Sequence, residues 1–222
     1  MRRHSFAALG VAVLAVAGVG FLGTGPASAH DEHHGTSRTQ ILHAKLTELN
    51  NSDARGWATA VVSDKIRHIE VHASGLTPDA PHAQHIHYGL QALHECPTLV
   101  LDKNGDGRLT TSEGVPAYGG VLVSLTTNGD TSPASVLAVP RFPVADDGRI
   151  SYSRNNIEIA PVAGAGSRQQ ILDAIKRGEG VVVIHGIDYD HSGTYNLSKG
   201  ASDLDPSLPA EATDPALCGV LH

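Results

Sequence analysis

Apolar and polar residues alternate in short segments along most of the chain beyond residue 40, and turn-forming Gly, Pro and polar residues separate these segments. Alternation with a period of two is typical of strands that bury one face. The pattern predicts strands at 41–49, 56–62, 66–73, 83–88, 120–126, 135–139, 149–159, 180–187 and 216–221. Short strands at this spacing favour an antiparallel β-sandwich or barrel.

One segment follows a helical period instead. In residues 167–178, Ile171, Leu172 and Ile175 recur at helical spacing, and two basic residues precede Gly178. A basic last turn followed by glycine is a helix-stop signal, so we expect one short helix here. Residues 206–215 are rich in Pro and Ala and predict an extended arm.

The N-terminus predicts export. Arg2 and Arg3 precede an apolar run at 6–22, and Ala27-Ser28-Ala29 offers the small residues that a signal peptidase reads. The alternative is a membrane anchor, but the run is short and rich in small residues. We therefore expect a signal peptide at 1–29, cleaved before His30, a flexible His-rich tail at 30–38, and a secreted domain at 39–222.

The net charge of the exported chain indicates which classes of partner it can bind. Without Arg2 and Arg3, 14 Lys and Arg face 23 Asp and Glu, a net charge of −9. So acidic a chain argues against nucleic acid or an anionic membrane as partner and favours cations.

The two cysteines predict a disulfide. Export would place Cys96 and Cys218 in an oxidising compartment, so one disulfide is expected, with two buried thiols as the alternative.

Residues 102–113 fit the twelve-residue calcium loop, with Gly107 at its tight turn. The expected ligands are, in order, Asp102, Asn104, Asp106, the carbonyl of Arg108, a water held by Thr110, and Glu113. Pro97 and Pro116 argue against the two helices of an EF-hand, so we expect a loop that calcium stabilises. The alternative is a polar turn that binds no ion.

A second group of candidate ligands is imidazole. His85 and His87 share one face of a predicted strand, and His185 ends another. Three imidazoles from two strands suit copper or zinc. The alternative is that some of these side chains are half-buried and hydrogen-bonded.

These features resemble the secreted copper/zinc superoxide dismutase family in order and spacing. The shared pattern is His85-Ile-His87, Cys96 nine residues later, Val182-Val-Ile-His185, and Cys218-Gly219-Val220 near the end. The resemblance spans about residues 40–222. It implies an all-β, superoxide-dismutase-like Greek-key β-sandwich, a Cys96–Cys218 disulfide, and copper ligation by His85, His87 and His185.

The chain also departs from that family. No histidine lies between Cys96 and Arg149, so the zinc site and the histidine that bridges both metals are absent, and zinc is not expected. Pro215 stands where the family has an arginine that guides superoxide. His94 and His191 are candidates for a fourth copper ligand, although neither matches the family position.

A second family is also similar. Residues 75–87 and the segment 171–178 before a Val-rich strand resemble bacterial chordin-type (CHRD) domains. That resemblance implies a related sandwich without an established activity.

The remaining histidines lie either in the N-terminal tail or in the predicted domain. His30, His33 and His34 form an accessory metal-site candidate, with a solvated tail as the alternative. We expect the others to be surface or structural residues, namely His43, His68, His72 and His82.

Three functional hypotheses follow. The first is a secreted copper protein of the zinc-less dismutase type with weak superoxide dismutation. The second is a non-catalytic CHRD-like binding module that calcium stabilises. The third is copper sequestration without turnover. The sequence does not identify a protein partner.

Overall fold

Eight antiparallel strands account for most of the architecture in a computed structural model of the protein, which describes residues 38–222. The strands are β1 (Gln40–Glu48), β2 (Arg55–Val62), β3 (Ile66–Ser74), β4 (Gln84–Tyr88), β5 (Gly120–Ser124), β6 (Arg149–Ile157), β7 (Val181–His185) and β8 (Pro215–Val220). In β1, β2, β3 and β6 buried and exposed residues alternate, whereas β4 and β7 are buried throughout. The predicted all-β fold is confirmed.

The strands form one curled sheet in the order β5-β4-β7-β8-β1-β2-β3-β6. β1, β2 and β3 follow one another, while β4 pairs with β7 and β3 with β6, so long connections cross between the two halves in the Greek-key manner. The halves join where β8 pairs with β1. Apolar side chains from both halves share one core, which leaves the buried strands β4 and β7 to position the histidines.

Within residues 38–222, three α-helices accompany the sheet, whereas the sequence predicted one helix there. The expected one is α2 (Arg168–Lys176), which Ser167 and Gln170 begin with a capping box. A second, α1 (Thr111–Tyr118), begins within the last three residues of the 102–113 loop and contains Pro116. On the other side of the loop, a 3₁₀ turn at Leu99–Leu101 precedes Asp102, so two EF-hand α-helices do not flank the loop. The Thr110–Glu113 capping box nevertheless starts a helix that the sequence analysis did not predict.

Two further expectations were wrong. Residues 135–139 form no strand. Two 3₁₀ turns, Pro133–Ser135 and Val139–Arg141, occupy this region instead, and their prolines cannot donate to a sheet ladder. The predicted extended arm at 206–215 contains α3 (Ala210–Thr213) and ends at the first residue of β8.

Cys96 and Cys218 form the expected disulfide, with an S–S distance of 2.04 Å. The bond ties the loop after β4 to β8. The predicted signal peptide and most of the predicted tail, including His30, His33 and His34, lie outside the described residues. Within residues 38–222, no helix has the length and apolar character needed to cross a membrane.

Candidate metal centre

Two neighbouring strands bring His85, His87 and His185 together. The first two project from the same face of β4, and β4 pairs with β7, which ends at His185. One ring nitrogen from each residue lies within 4.8 Å of the others. The ring centroids are 5.2–6.1 Å apart. The three residues predicted as copper ligands thus form one cluster, called the histidine centre below.

The nitrogens that face one another have no hydrogen-bond partner. They are Nδ1 of His85, Nε2 of His87 and Nε2 of His185, and each ring is at most 3% exposed. The opposite nitrogen of each ring lies 2.6–3.2 Å from a backbone carbonyl, to which it donates. These carbonyls belong to Val136, Gly119 and Thr213, respectively. Donation fixes the tautomer that leaves the inner lone pair free, as in metal-binding histidines.

Gly119 shows how closely the backbone must approach to supply one of these carbonyls. It has a φ of 88°, and a Cβ there would lie 2.4 Å from the carbonyl carbon of Tyr88. Only glycine fits such a position without displacing β4. The absent side chain therefore helps the Gly119 carbonyl to reach the ring of His87.

Burial keeps the histidine centre neutral. Loss of solvent lowers the pKa of His87 to about 3 and that of His185 to about 4, and the neighbouring His185 ring lowers the His87 value further. Burial, with smaller effects from His185 and His87, holds the pKa of His85 well below its ordinary value. Neutral imidazole is the form that binds metal, so all three lone pairs are available near pH 7.

A small cavity of about 20 Å³ adjoins the three rings. Its other walls are aliphatic or threonine side chains: Ala83, Thr111, Val121, Val136, Leu137, Leu204 and Thr213. No lysine or arginine lines it. A space of this size accommodates about one water molecule. The surroundings are therefore without charged side chains and have room for one small ligand.

The 102–113 loop is connected to the histidine centre through α1. The hydroxyl of Thr111 donates to the Thr213 carbonyl at 2.6 Å, and the same oxygen lies 3.4 Å from Nδ1 of His185. Arg108 forms an ion pair with the buried Asp214, the residue after Thr213. Burial raises the pKa of Asp214 to about 6, although Arg108 opposes that shift. The carbonyl that orients His185 is thus held from the loop side.

The loop itself satisfies its carboxylates with its own backbone. Asp102 accepts from the amides of Gly105 and Gly107 at 2.7 and 2.8 Å. Glu113 accepts from the amides of Lys103 and Thr110, each at 3.0 Å. The remaining loop oxygens accept similar bonds; Asn104 accepts from Asp106, and Asp106 accepts from Arg108. The three carboxylates of this loop do not converge within the 4.8 Å that groups the histidines.

The structure contains a second acidic group that the sequence analysis did not identify. Oxygens of Asp188, Asp190 and Glu211 lie within 4.8 Å of one another. A signal was present in the sequence, because Asp188-x-Asp190-x-Ser192-Gly193 repeats the spacing of the first half of the 102–113 loop. Glu211 is buried and accepts from the amides of Tyr189 and Asn196 and from the hydroxyl of Ser198.

Neither candidate for a fourth copper ligand joins the histidine centre. His94 bonds to the Gly89 carbonyl and stacks on Tyr88, and His191 is exposed. His82 is buried between the carbonyls of Thr77 and His185, a structural role. The other domain histidines, His43, His68 and His72, are exposed or half-buried. Within the described range, the centre therefore has three His, Cys, Asp or Glu members and no more.

Comparisons with known proteins add no relative: no protein-family model matches the chain, and no curated protein matches it. The superoxide-dismutase-like and chordin-like resemblances rest on the residues quoted above.

Proposed function

We propose that the protein binds one copper ion at the histidine centre. The observation that carries this proposal is a cluster of three buried histidines, each with one unpartnered ring nitrogen and with ligand atoms within 4.8 Å of one another. Leaving a polar atom buried and unpaired costs roughly 1–3 kcal/mol. Three such atoms in one place are best explained by a shared ligand that accepts three lone pairs.

The donor set favours copper over other ions. Ca²⁺ and Mg²⁺ take oxygen ligands, so an all-imidazole centre does not suit them. Imidazole suits copper, zinc, nickel and iron, and Cu²⁺ heads the affinity order among divalent ions. Structural zinc sites are usually closed by four protein ligands. A centre with three ligand residues within the described chain fits that pattern less well.

Bound copper would supply one-electron exchange with a small molecule. The cavity beside His85 and His185 has room for one small molecule, and we propose superoxide as that molecule. Its apolar walls carry no cationic side chain, and Pro215 stands at the position of the family's guiding arginine. Attraction of an anion depends on local positive charge, so we propose turnover well below that of the family, with copper sequestration as the alternative.

Calcium is the second proposed ion, bound at the loop formed by residues 102–113. The spacing of its oxygen ligands supports this site, as does the wrapping of the loop backbone around Asp102. The loop would then stabilise α1, and through Thr111 the surroundings of His185.

A copper titration of the cleaved chain without an affinity tag tests the proposal. We expect about one ion per chain and a nitrogen-ligated electron paramagnetic resonance signal. The double variant His85→Ala/His185→Ala should lose both, and His68→Ala, which alters a half-buried histidine on β3 outside the histidine centre, should lose neither. A signal that survives in the double variant but disappears when residues 30–38 are deleted would place the copper on the tail and refute the proposal.

The CHRD-like binding-module hypothesis has its own support in the structure. A groove lined by residues of β1, β2, β3 and β6, none of which belongs to the histidine centre, carries exposed aromatic and charged side chains.

A further inference from the structure

A groove of about 910 Å³ lies along strands β1, β2, β3 and β6 and the turn before β6. We call it the Trp57 groove. Its polar and aromatic walls include Lys45, Arg55, Trp57, His72, Asp146 and Arg149. None of these residues belongs to the histidine centre or to either acidic group.

Trp57 is the only tryptophan of the chain, and it is 45% exposed. It pairs across the strands with His72, and the two rings stack with centroids 4.3 Å apart and planes 23° apart. The imidazole supports one side of the indole. Among the described residues, the cation–π contact lies elsewhere, between Lys199 and Tyr189, so no cation covers the indole. A supported, exposed indole is a platform on which a flat ligand face packs.

Three cations surround this platform. Lys45 lies opposite Trp57 on β1, Arg55 precedes it by two residues on β2, and Arg149 begins β6. Because Arg55 and Arg149 both align with Ser74 on β3, they are two strands apart, or roughly 10 Å. All three are exposed, and within residues 38–222 none forms an ion pair or side-chain hydrogen bond.

These unpaired cations contrast with the rest of the molecule, since the full chain carries a net charge of −7. Their concentration around one indole supplies a local positive field that an anionic ligand complements. Asp146 and Asp147 are exposed in the same groove and provide hydrogen-bond acceptors.

We infer that the Trp57 groove binds an anionic saccharide. A sugar ring packs on the indole of Trp57, acidic groups along the saccharide accept hydrogen bonds from Lys45, Arg55 and Arg149, and sugar hydroxyls donate to Asp146 and Asp147. This inference and the proposed copper site rest on different observations. Refuting one of them would therefore leave the other unaffected.

The same groove suits nucleic acid less well. Single strands are held by successive aromatic platforms along a uniformly basic track. Here one indole–imidazole pair lines the groove, and two exposed carboxylates would face the closely spaced phosphates. Sugar hydroxyls, by contrast, are donors that carboxylates accept.

The chain's single tryptophan gives a direct test. A hyaluronan octasaccharide, which carries carboxylates on a sugar backbone, is titrated into the cleaved protein while the emission of Trp57 is followed. We expect a saturable change in emission. Arg55→Ala and Arg149→Ala should each weaken binding by about tenfold, the effect of losing one charge-assisted hydrogen bond. Arg67→Ala, an exposed arginine near the other end of β3, should leave binding unchanged.

Calorimetry extends the test to variants without the fluorophore. Trp57→Ala should abolish binding, and Trp57→Phe, which keeps an aromatic platform, should retain part of it. Equal affinity for a neutral cello-octaose, or tighter binding of an oligodeoxynucleotide, would overturn the anionic-saccharide class. The site itself would be overturned if millimolar octasaccharide caused no change in emission. An emission change that depends on protein concentration and not on octasaccharide concentration would overturn it as well.

Discussion

The histidine centre and the 102–113 loop differ in how they treat their candidate ligand atoms. In the histidine centre, three buried nitrogens face one another without partners. In the loop, the side-chain oxygens of Asp102, Asn104, Asp106 and Glu113 already accept hydrogen bonds from the loop backbone. The loop thus holds its shape by its own bonds, whereas the histidine centre is costly unless something binds there.

The contrast separates two kinds of ion dependence. A site whose buried lone pairs have no partner gains the full stabilisation of a bound ligand, and without the ligand it lowers the stability of the fold. A loop that is already satisfied gains a smaller amount, because an ion must compete with existing hydrogen bonds.

Acid should unfold the metal-free protein. Unfolded histidine takes up a proton near pH 6.5, whereas burial lowers the pKa of His185 to about 4 and that of His87 to about 3 in the folded state, and His85 shifts in the same direction. The folded state therefore loses stability as pH falls below 6.5, by up to roughly 1.4 kcal/mol per histidine and pH unit.

The pKa of the buried His82 is lowered as well, whereas burial raises that of Asp214 to about 6 and so offsets part of the effect. With an ordinary total stability of about 5–15 kcal/mol, we expect unfolding between about pH 4 and 5.5. Circular dichroism against pH measures the transition, and a His185→Gln variant should show a shallower pH slope. A metal-free protein that stays folded at pH 4 would show that the three imidazoles are not buried in the neutral form.

Copper should stabilise the fold by several kcal/mol. A ligand present at a thousand times its dissociation constant adds about 4 kcal/mol. For a chain of this size that corresponds to a rise in melting temperature of roughly 8–16 °C. Calorimetry with copper and with a chelator measures it, and His85→Ala/His185→Ala should show no difference between the two conditions. An equal rise in that variant would contradict binding at the histidine centre.

Thr111→Val should weaken copper binding without removing a ligand. The hydroxyl of Thr111 holds the Thr213 carbonyl, which in turn orients His185. Loss of such an outer contact typically costs 10–100-fold in metal affinity, and we expect the lower end. The control is Thr127→Val, which removes an exposed hydroxyl bonded to the Arg141 carbonyl. Unchanged affinity in Thr111→Val would make that contact irrelevant to the metal.

The sequence predicted those parts of the molecule that depend on side-chain pattern. Alternation located β1, β2, β3 and β6, and the spacing of His85, His87 and His185 identified the cluster. It did not predict the carbonyls that orient the rings, because backbone groups leave no trace in residue type. It did not predict helix α1 either, although the Thr-x-x-Glu pattern of its Thr110–Glu113 capping box is present in the sequence.

Calcium should have the smallest effect. At ten times its dissociation constant, an ion that binds the native state adds about 1.4 kcal/mol, or roughly 3–6 °C in melting temperature for a chain of this size. Glu113→Gln should abolish this rise while keeping an acceptor for the capping box. Asp190→Asn, in the second acidic group, should not. Loss of the calcium response in Asp190→Asn alone would locate the ion there instead.

The pairing of β4 with β7 also determines when metal can be acquired. His87 and His185 are 98 positions apart in the chain, yet their strands are immediate neighbours. Contacts between such distant segments form slowly, since a long loop must close first. No nascent fragment that ends before residue 185 contains the complete centre. A metal ion that needs all three ligands can therefore bind only after β7 has been made and has paired with β4.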